Sequence, residues 1–392
     1  MKLPGMIATL FLIATVVRAS GDPEIFIANL IEWLRANGAY INENVAVKRS
    51  IEGDLSSPLG LVAIADINAE ETICYIPPHL IIQPGEDSTK DSDCSTIQET
   101  FEMLNAKEPN PYAQYLLSQL PRYTPEFWSE AGRSLLKEML HDFLPPVYID
   151  ATLNELKSYC NGDIDNPMYL HAAMLVKSRA DYNYLVPFYD MTNHHNRKLN
   201  MKHVFDPYKE KINETGYAIA TARAIKSGEQ LYISYNRCNI CTDYYDWFGT
   251  AEIFLSFGFV EQYPQRWLFD LSRIKFDLDI DNTTGSEVVT FLVPPSKKGI
   301  DMLRRELERL DTFSEHRTMN TGVIPDNEWS LLWDYYDALH NALSRAVESD
   351  APRSDDVWSL GDDWWVRDGT MHGSSVEEHF VRRSQLDDDN EL

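Results

Sequence analysis

The chain is 392 residues long, 44% hydrophobic and 11% aromatic, which suits a folded protein of one or two packed units and excludes a disordered one. Its formal net charge of -26 repels nucleic acid phosphates and steers basic partners toward it, so no nucleic acid partner is expected.

At the N-terminus, Lys2 precedes the apolar run Met6–Val17, and Val17-Arg18-Ala19 offers small residues at a cleavage point. That layout reads as a secretory signal peptide over residues 1–19, with an uncleaved anchor as the alternative. No later run reaches the ~18 apolar residues of a membrane span, so none is expected after cleavage. Phe26, Leu30, Trp33 and Leu34 then recur at helical spacing within Asp22–Ala36, and Asn37-Gly38 ends that helix. Val45–Val47, Leu61–Ile64 and Thr72–Ile76, each bounded by Gly, Pro, Asp or Asn, predict strands of a small sheet.

Residues 84–96 read as a polar loop. From Ser95 to Arg179 the pattern turns helical, carried by Tyr112/Tyr115/Leu116/Leu117, Leu135/Leu136/Met139/Leu140 and Leu170/Ala173/Met174. Strands are expected again at Leu185–Phe188, Tyr217–Ala222 and Leu231–Tyr235, then a helix over Thr250–Phe257 that stops at Gly258. Past Pro264, strands at Trp267–Asp279 and Val288–Val293 precede helices at Ile300–Leu310 and Glu328–Val347. Residues 351–392 form an acidic tail bearing Trp358, Trp364 and Trp365.

Five cysteines do not make a disulfide scaffold at this length. For Cys238-x-x-Cys241 a local disulfide ranks first, half of a zinc site second and redox chemistry third; no metal site is expected. Asn213-Glu214-Thr215 and Asn282-Thr283-Thr284 are glycosylation sequons, and Asp389-Asn390-Glu391-Leu392 resembles an ER-retrieval tetrapeptide. These features agree with the secretory pathway, either the ER lumen or secretion.

Several blocks occur in one order: Trp33-Leu34-Arg35-Ala36-Asn37-Gly38-Ala39, Leu59-Gly60-Leu61-Val62-Ala63, Val176-Lys177-Ser178-Arg179-Ala180, Asp190–His194, Gly228–Tyr235 and Phe257-Gly258-Phe259-Val260. Together they resemble SET-domain protein methyltransferases, in the branch of the Rubisco large subunit lysine methyltransferase and the actin histidine methyltransferase. The resemblance implies an α+β fold. A β-rich SET domain of small sheets with a pseudoknot, over 22–262, would be interrupted by a helical insert at about 95–180. A mostly helical domain at 263–350 would follow, shaped for substrate binding.

The resemblance also implies S-adenosyl-L-methionine as cofactor and a protein substrate. A lysine side chain is the first expectation; histidine methylation and a catalytically silent binding scaffold are the alternatives. Tyr235 is where the family's catalytic tyrosine lies, beside the transferring methyl. Cofactor contacts would come from Leu59, Gly60, Arg179, Asp190, Asn193, His194, Phe257, Gly258 and Phe259. Arg179 would meet the carboxylate of the cofactor's methionine end. Alternation along a strand puts Tyr232 on the face opposite Tyr235, in the core; His195 and His203 read as structural. The family motif opens with Gly where this chain has Pro58, which removes a backbone donor. Arg237–Phe248 reads as an insertion beside the pocket.

Overall fold

The structure, a computed structural model, describes residues 23–50, 57–84, 92–119, 124–141, 143–146, 149–181, 183–204, 215–236, 248–269, 274–318, 322–351, 364–367 and 370–373. The signal-peptide expectation, Cys238 and Cys241, Asn213 and the C-terminal tetrapeptide lie outside these residues.

The first element among the described residues is helix α1 (Pro23–Ala36), which buries Leu30 and Leu34 four residues apart on one face. Four short strands follow: β1 (Tyr40–Ile41), β2 (Val45–Arg49), β3 (Leu59–Ala63) and β4 (Thr72–Ile76). The helical segment then holds α2 (Ser92–Leu104), α3 (Pro111–Ser118), α4 (Glu130–Leu140), α5 (Ala151–Ser158) and α6 (Pro167–Arg179). Caps explain several starts: Asn110, Ser129 and Asn166 each accept a backbone N–H of the following turn, and Pro occupies the first helical position of α3 and α6. A disulfide joins Cys94 in α2 to Cys160 just past α5. Sequence reading missed it, because pairing across 66 residues leaves no local pattern.

Strands return as β5 (Asn193–His194), β6 (Met201–His203), β7 (Tyr217–Thr221) and β8 (Tyr232–Ile233), and α7 (Thr250–Phe257) follows. One antiparallel sheet runs in the order β1-β4-β7-β6, β2 pairs with β3, and β5 pairs with β8 in parallel. Beyond α7, β9 (Gln265–Phe269), β10 (Ile274–Ile280) and β11 (Glu287–Phe291) form an antiparallel sheet, backed by α8 (Lys297–Phe313) and α9 (Asp326–Glu348). The last elements among the described residues are β12 (Trp364–Arg367) and β13 (Thr370–Gly373), paired antiparallel. The expected α+β fold of small sheets with a helical C-terminal region is the fold observed. Among the described residues no helix is long and apolar enough to cross a membrane.

Two buried clusters hold these parts. One joins α1, the strands up to β7 and helices α2, α3 and α6. The other joins β9, β10, α8 and α9, and also takes in Leu136 and Met139 of α4 and Phe254 of α7. Phe254 stacks on Tyr335 of α9 with ring centroids 4.0 Å apart, and the Tyr335 hydroxyl donates to Pro145 O at 2.6 Å. The C-terminal helices are thereby fixed against the strand–helix unit that ends in Phe257-Gly258.

Two expected strands differ. Leu185–Phe188 forms no strand: Leu185 makes one isolated bridge with Ile82, Pro187 has no N–H to give, and Phe188 turns to φ 72° before a single 3₁₀ turn at Tyr189–Met191. The strand expected over Leu231–Tyr235 shrinks to Tyr232–Ile233, because the Tyr235 N–H leaves the ladder for the His194 ring.

Candidate active site

Asn193 and His194 arrive from the 3₁₀ turn and run alongside Tyr232 and Ile233 in parallel register. Just past that pair, Tyr235 is tied at both ends to the segment it crosses. Its backbone N–H donates to His194 Nδ1 at 2.9 Å, and its hydroxyl donates to Thr192 O at 2.7 Å. The ring lies 4.5 Å from Phe257, 5.2 Å from His194 and 6.3 Å from Phe259, centroid to centroid. Gly258 caps α7 in the left-handed conformation at φ 69°, which lets the chain reverse and bring Phe259 back toward Phe257.

These rings form one wall of a cavity of about 1570 Å³. A second wall is the β2–β3 hairpin, with Arg49, Ser50 and Leu59. The Asn193 amide crosses to it, donating to Leu59 O at 3.1 Å and to Ser50 Oγ at 3.4 Å. Gly60 leaves room for these side chains: a Cβ would fall 2.4 Å from Asn193 Nδ2 and 2.2 Å from Gln230 Nε2, so both amides would have to shift. The Pro58 carbonyl accepts the Ser50 N–H at 2.8 Å, one bond beyond the paired strands β2 and β3.

Arg179 reaches the cavity from the end of α6. Its Nη1 donates to Tyr115 Oη at 3.1 Å and Asp190 O at 3.0 Å, and lies 3.5 Å from Asp190 Oδ2; its Nη2 donates to Gln119 Oε1 at 3.1 Å. Nε has no partner among the described residues. Burial works against this guanidinium's charge, but Tyr115, Asp190 and Tyr112 outweigh it and hold the proton more firmly than on an exposed arginine. The Asp190 side chain is fully buried behind Arg179, where Tyr112 Oη donates to it at 3.3 Å.

A further wall comes from one face of α9: Asn327, Ser330, Leu331 and Asp334, at helical spacing. Glu328, between them in sequence, points the other way and anchors that turn to α4. It accepts from Ser129 N at 2.9 Å and Ser129 Oγ at 2.6 Å, in space that Gly132 leaves clear.

Leu59, Arg179, Asp190, Asn193, His194, Tyr235, Phe257, Gly258 and Phe259 therefore share one cavity lining, and Gly60 sits directly behind it. The His194 ring spends both nitrogens within the protein, Nδ1 on Tyr235 N–H and Nε2 on Glu261 Oε2 at 2.9 Å, so it braces the wall. Tyr232 departs from the expected core position. It lines the cavity, because the strand ends at Ile233 and alternation cannot be carried on to Tyr235. His195 also borders the cavity; burial, with Lys198, His194 and Arg197 nearby, pushes its pKa down to about 4, so it is neutral at pH 7. Arg49, Gln119, Gln230, Glu261 and the α9 face were missed by sequence reading. None carries a local pattern, and only the helical spacing of the α9 set could have been found. Among the described residues, no three His, Cys, Asp or Glu side chains are grouped to hold a metal ion.

A family model described as SET domain matches residues 59–236, the stretch that supplies most of this lining. The chain is 26% identical over 282 residues to the chloroplastic [fructose-bisphosphate aldolase]-lysine N-methyltransferase of Arabidopsis thaliana, covering 63% of this chain and 54% of that protein. It thus spans about half the length of that curated relative. Among solved structures, Rubisco LSMT bound to sinefungin and monomethyllysine matches with a TM-score of 0.49 and 16% identity, over 82% of this chain and 90% of that one. The SET domain of LSMT bound to lysine and AdoHcy matches at 0.48 and 15%, over 84% and 92%.

Proposed function

We propose that the SET domain at residues 59–236 makes this chain an S-adenosylmethionine-dependent protein-lysine N-methyltransferase. The observation that carries the reading is Tyr235, pinned by Thr192 and His194 in an aromatic wall that faces a cavity large enough for a nucleoside and a side chain together. The lining fits the donor chemically. Tyr235, Phe257 and Phe259 present π faces suited to a cation, the Arg179 Nε–H suits a carboxylate, and Gly60 leaves room for the Asn193 and Gln230 side chains that line the cavity. When bound, S-adenosylmethionine supplies a methyl group on a sulfonium that is already a good leaving group.

The protein's own task is position and electrostatics. The Tyr235 hydroxyl donates its hydrogen bond to Thr192 O, so it would meet an incoming amine as an acceptor. That amine must be neutral, and deprotonating an exposed lysine at pH 7 costs roughly 4–5 kcal/mol. The aromatic wall lowers the cost by desolvating the ammonium form. The name of the Arabidopsis relative supports lysine as the acceptor.

The first test is calorimetry of S-adenosylmethionine against the full chain. Binding is expected with a Kd between ~1 μM and ~1 mM, the usual range for enzyme substrates. No heat at millimolar donor would overturn the reading.

We further infer that the protein works in the secretory pathway. The leader pattern supports this, as does the Cys94–Cys160 disulfide, a bond that persists in oxidising compartments. Asn282 supports it as well. It is exposed at the tip of the β10–β11 hairpin, where Asp281 Oδ1 accepts the N–H groups of Thr283 and Thr284; Arg197 Nη1 donates to the Asn282 side-chain oxygen at 3.1 Å, and no bond of the amide nitrogen that would carry the glycan is seen among the described residues. Expressed in a eukaryotic secretory host, the chain is expected to carry a glycan on Asn282, read as a mass shift that peptide-N-glycosidase removes and Asn282→Gln abolishes. An unmodified Asn282 in the secreted chain would count against that route.

A further inference from the structure

Glu261 lies two residues past Phe259 and is 2% exposed. Its carboxylate is enclosed by donors from three separate stretches of chain. His194 Nε2 is 2.9 Å from Oε2, Asn196 Nδ2 donates to the same oxygen at 3.0 Å, and Asn236 Nδ2 does so at 3.2 Å. Thr250 Oγ, at the start of α7, donates to Oε1 at 2.5 Å. Among the described residues no lysine or arginine pairs with this carboxylate, and His194 is its one ionisable neighbour.

The contacts decide where the His194 proton sits. Nδ1 faces the Tyr235 N–H at 2.9 Å and must accept, so the ring proton belongs on Nε2, aimed at Glu261. An ionised carboxylate can only accept. It therefore favours this tautomer over the other, in which an N–H would confront the Tyr235 N–H. If satisfying the buried acid were all that mattered, the two amides and the hydroxyl would serve. The histidine adds a relay: Glu261 orients His194, His194 holds the Tyr235 backbone, and that bond ends β8 and starts the turn that delivers the Tyr235 ring to the cavity.

We propose that Glu261 is a positioning residue for methyl transfer, acting through His194 to hold Tyr235 at the cavity wall. The role rests on the methyltransferase reading above; the relay itself does not. Glu261→Gln keeps the shape and can still offer one oxygen to His194, but it removes the charge that selects the tautomer. In this variant kcat is expected to fall about tenfold with donor Kd unchanged, and in a Tyr235→Phe background the same substitution should cost almost nothing more. Hydrogen exchange at the Tyr235 amide should rise about tenfold alongside, in line with a loosened local bond.

Thr250→Val is the control for mere stability. It strips a donor from the same carboxylate and leaves the relay intact, so Tm should drop while kcat and Tyr235 exchange stay at wild-type values. Equal kcat losses from Glu261→Gln in both backgrounds, or a Thr250→Val variant that loses kcat as it loses Tm, would overturn the proposal. Unchanged Tyr235 exchange in Glu261→Gln breaks the relay whatever the activity. A wild-type chain that transfers no methyl group, with exchange still responding, overturns the methyltransferase reading and the role together while leaving the relay standing.

Discussion

Tyr235→Phe is expected to lower methyl transfer by about 10²–10³-fold, the range seen when one preorganised polar contact to a reacting centre is deleted. The substitution removes one oxygen. The ring should stay packed on Phe257 at 4.5 Å, and the backbone bond to His194 Nδ1 is independent of the side chain. The stability cost should stay at about 1 kcal/mol, the net worth of the hydroxyl's bond to Thr192 O. Donor affinity should hold, since the π face remains. The measurement is labelled methyl incorporation into lysate proteins by the two purified chains, with calorimetry of the donor beside it. Equal incorporation would show that the tyrosine hydroxyl has no part in the chemistry.

Arg179→Met should be the most destabilising change near the cavity, by about 3–5 kcal/mol, because it breaks a buried ion pair from one side. The Arg179 side chain is 9% exposed and that of Asp190 0%, so solvent cannot take over when the guanidinium leaves. Asp190 would keep its bond from Tyr112, while Gln119 and Tyr115 would each lose a donor. Arg179→Lys should recover little. One ammonium cannot reach the hydroxyl, the Asp190 carbonyl and the Gln119 amide that the planar fork spans. Urea denaturation decides the matter, and a loss under about 1 kcal/mol would mean that Asp190 does not need its partner.

What could be read from sequence followed from how local the cause was. The helix at Thr250–Phe257 was legible to its last residue, because Gly258 takes the left-handed cap that a Cβ resists. The α8 and α9 helices were legible from apolar residues three and four apart, and only their ends moved outward. At Leu185–Phe188 the apolar run is real, but it records burial; Pro187 and the positive φ of Phe188 deny it a ladder. Tyr232 was misplaced because alternation was carried through Tyr235, whose N–H is taken by a ring 41 residues away. The Cys94–Cys160 pairing and the convergence on Glu261 were invisible for the same reason: each depends on segments far apart in the chain meeting in space.

The parallel β5–β8 pair also bears on when the site can exist. Some cavity contacts are local, such as Ser50 with Pro58, but the contacts that join its walls span long stretches of chain: Asn193 meets Leu59 across 134 residues, and Val62 bridges to Gln230. Such contacts return nothing until both ends have been found, so they form late, whereas α2 to α6 can condense from neighbours along the chain. A chain growing from its N-terminus would thus carry a packed helical insert well before it carries Tyr235, and the brace at Glu261 emerges later still. Topology sets the timing: the cavity also needs the α9 face, so a chain halted before Asp334 would have helices but no finished site.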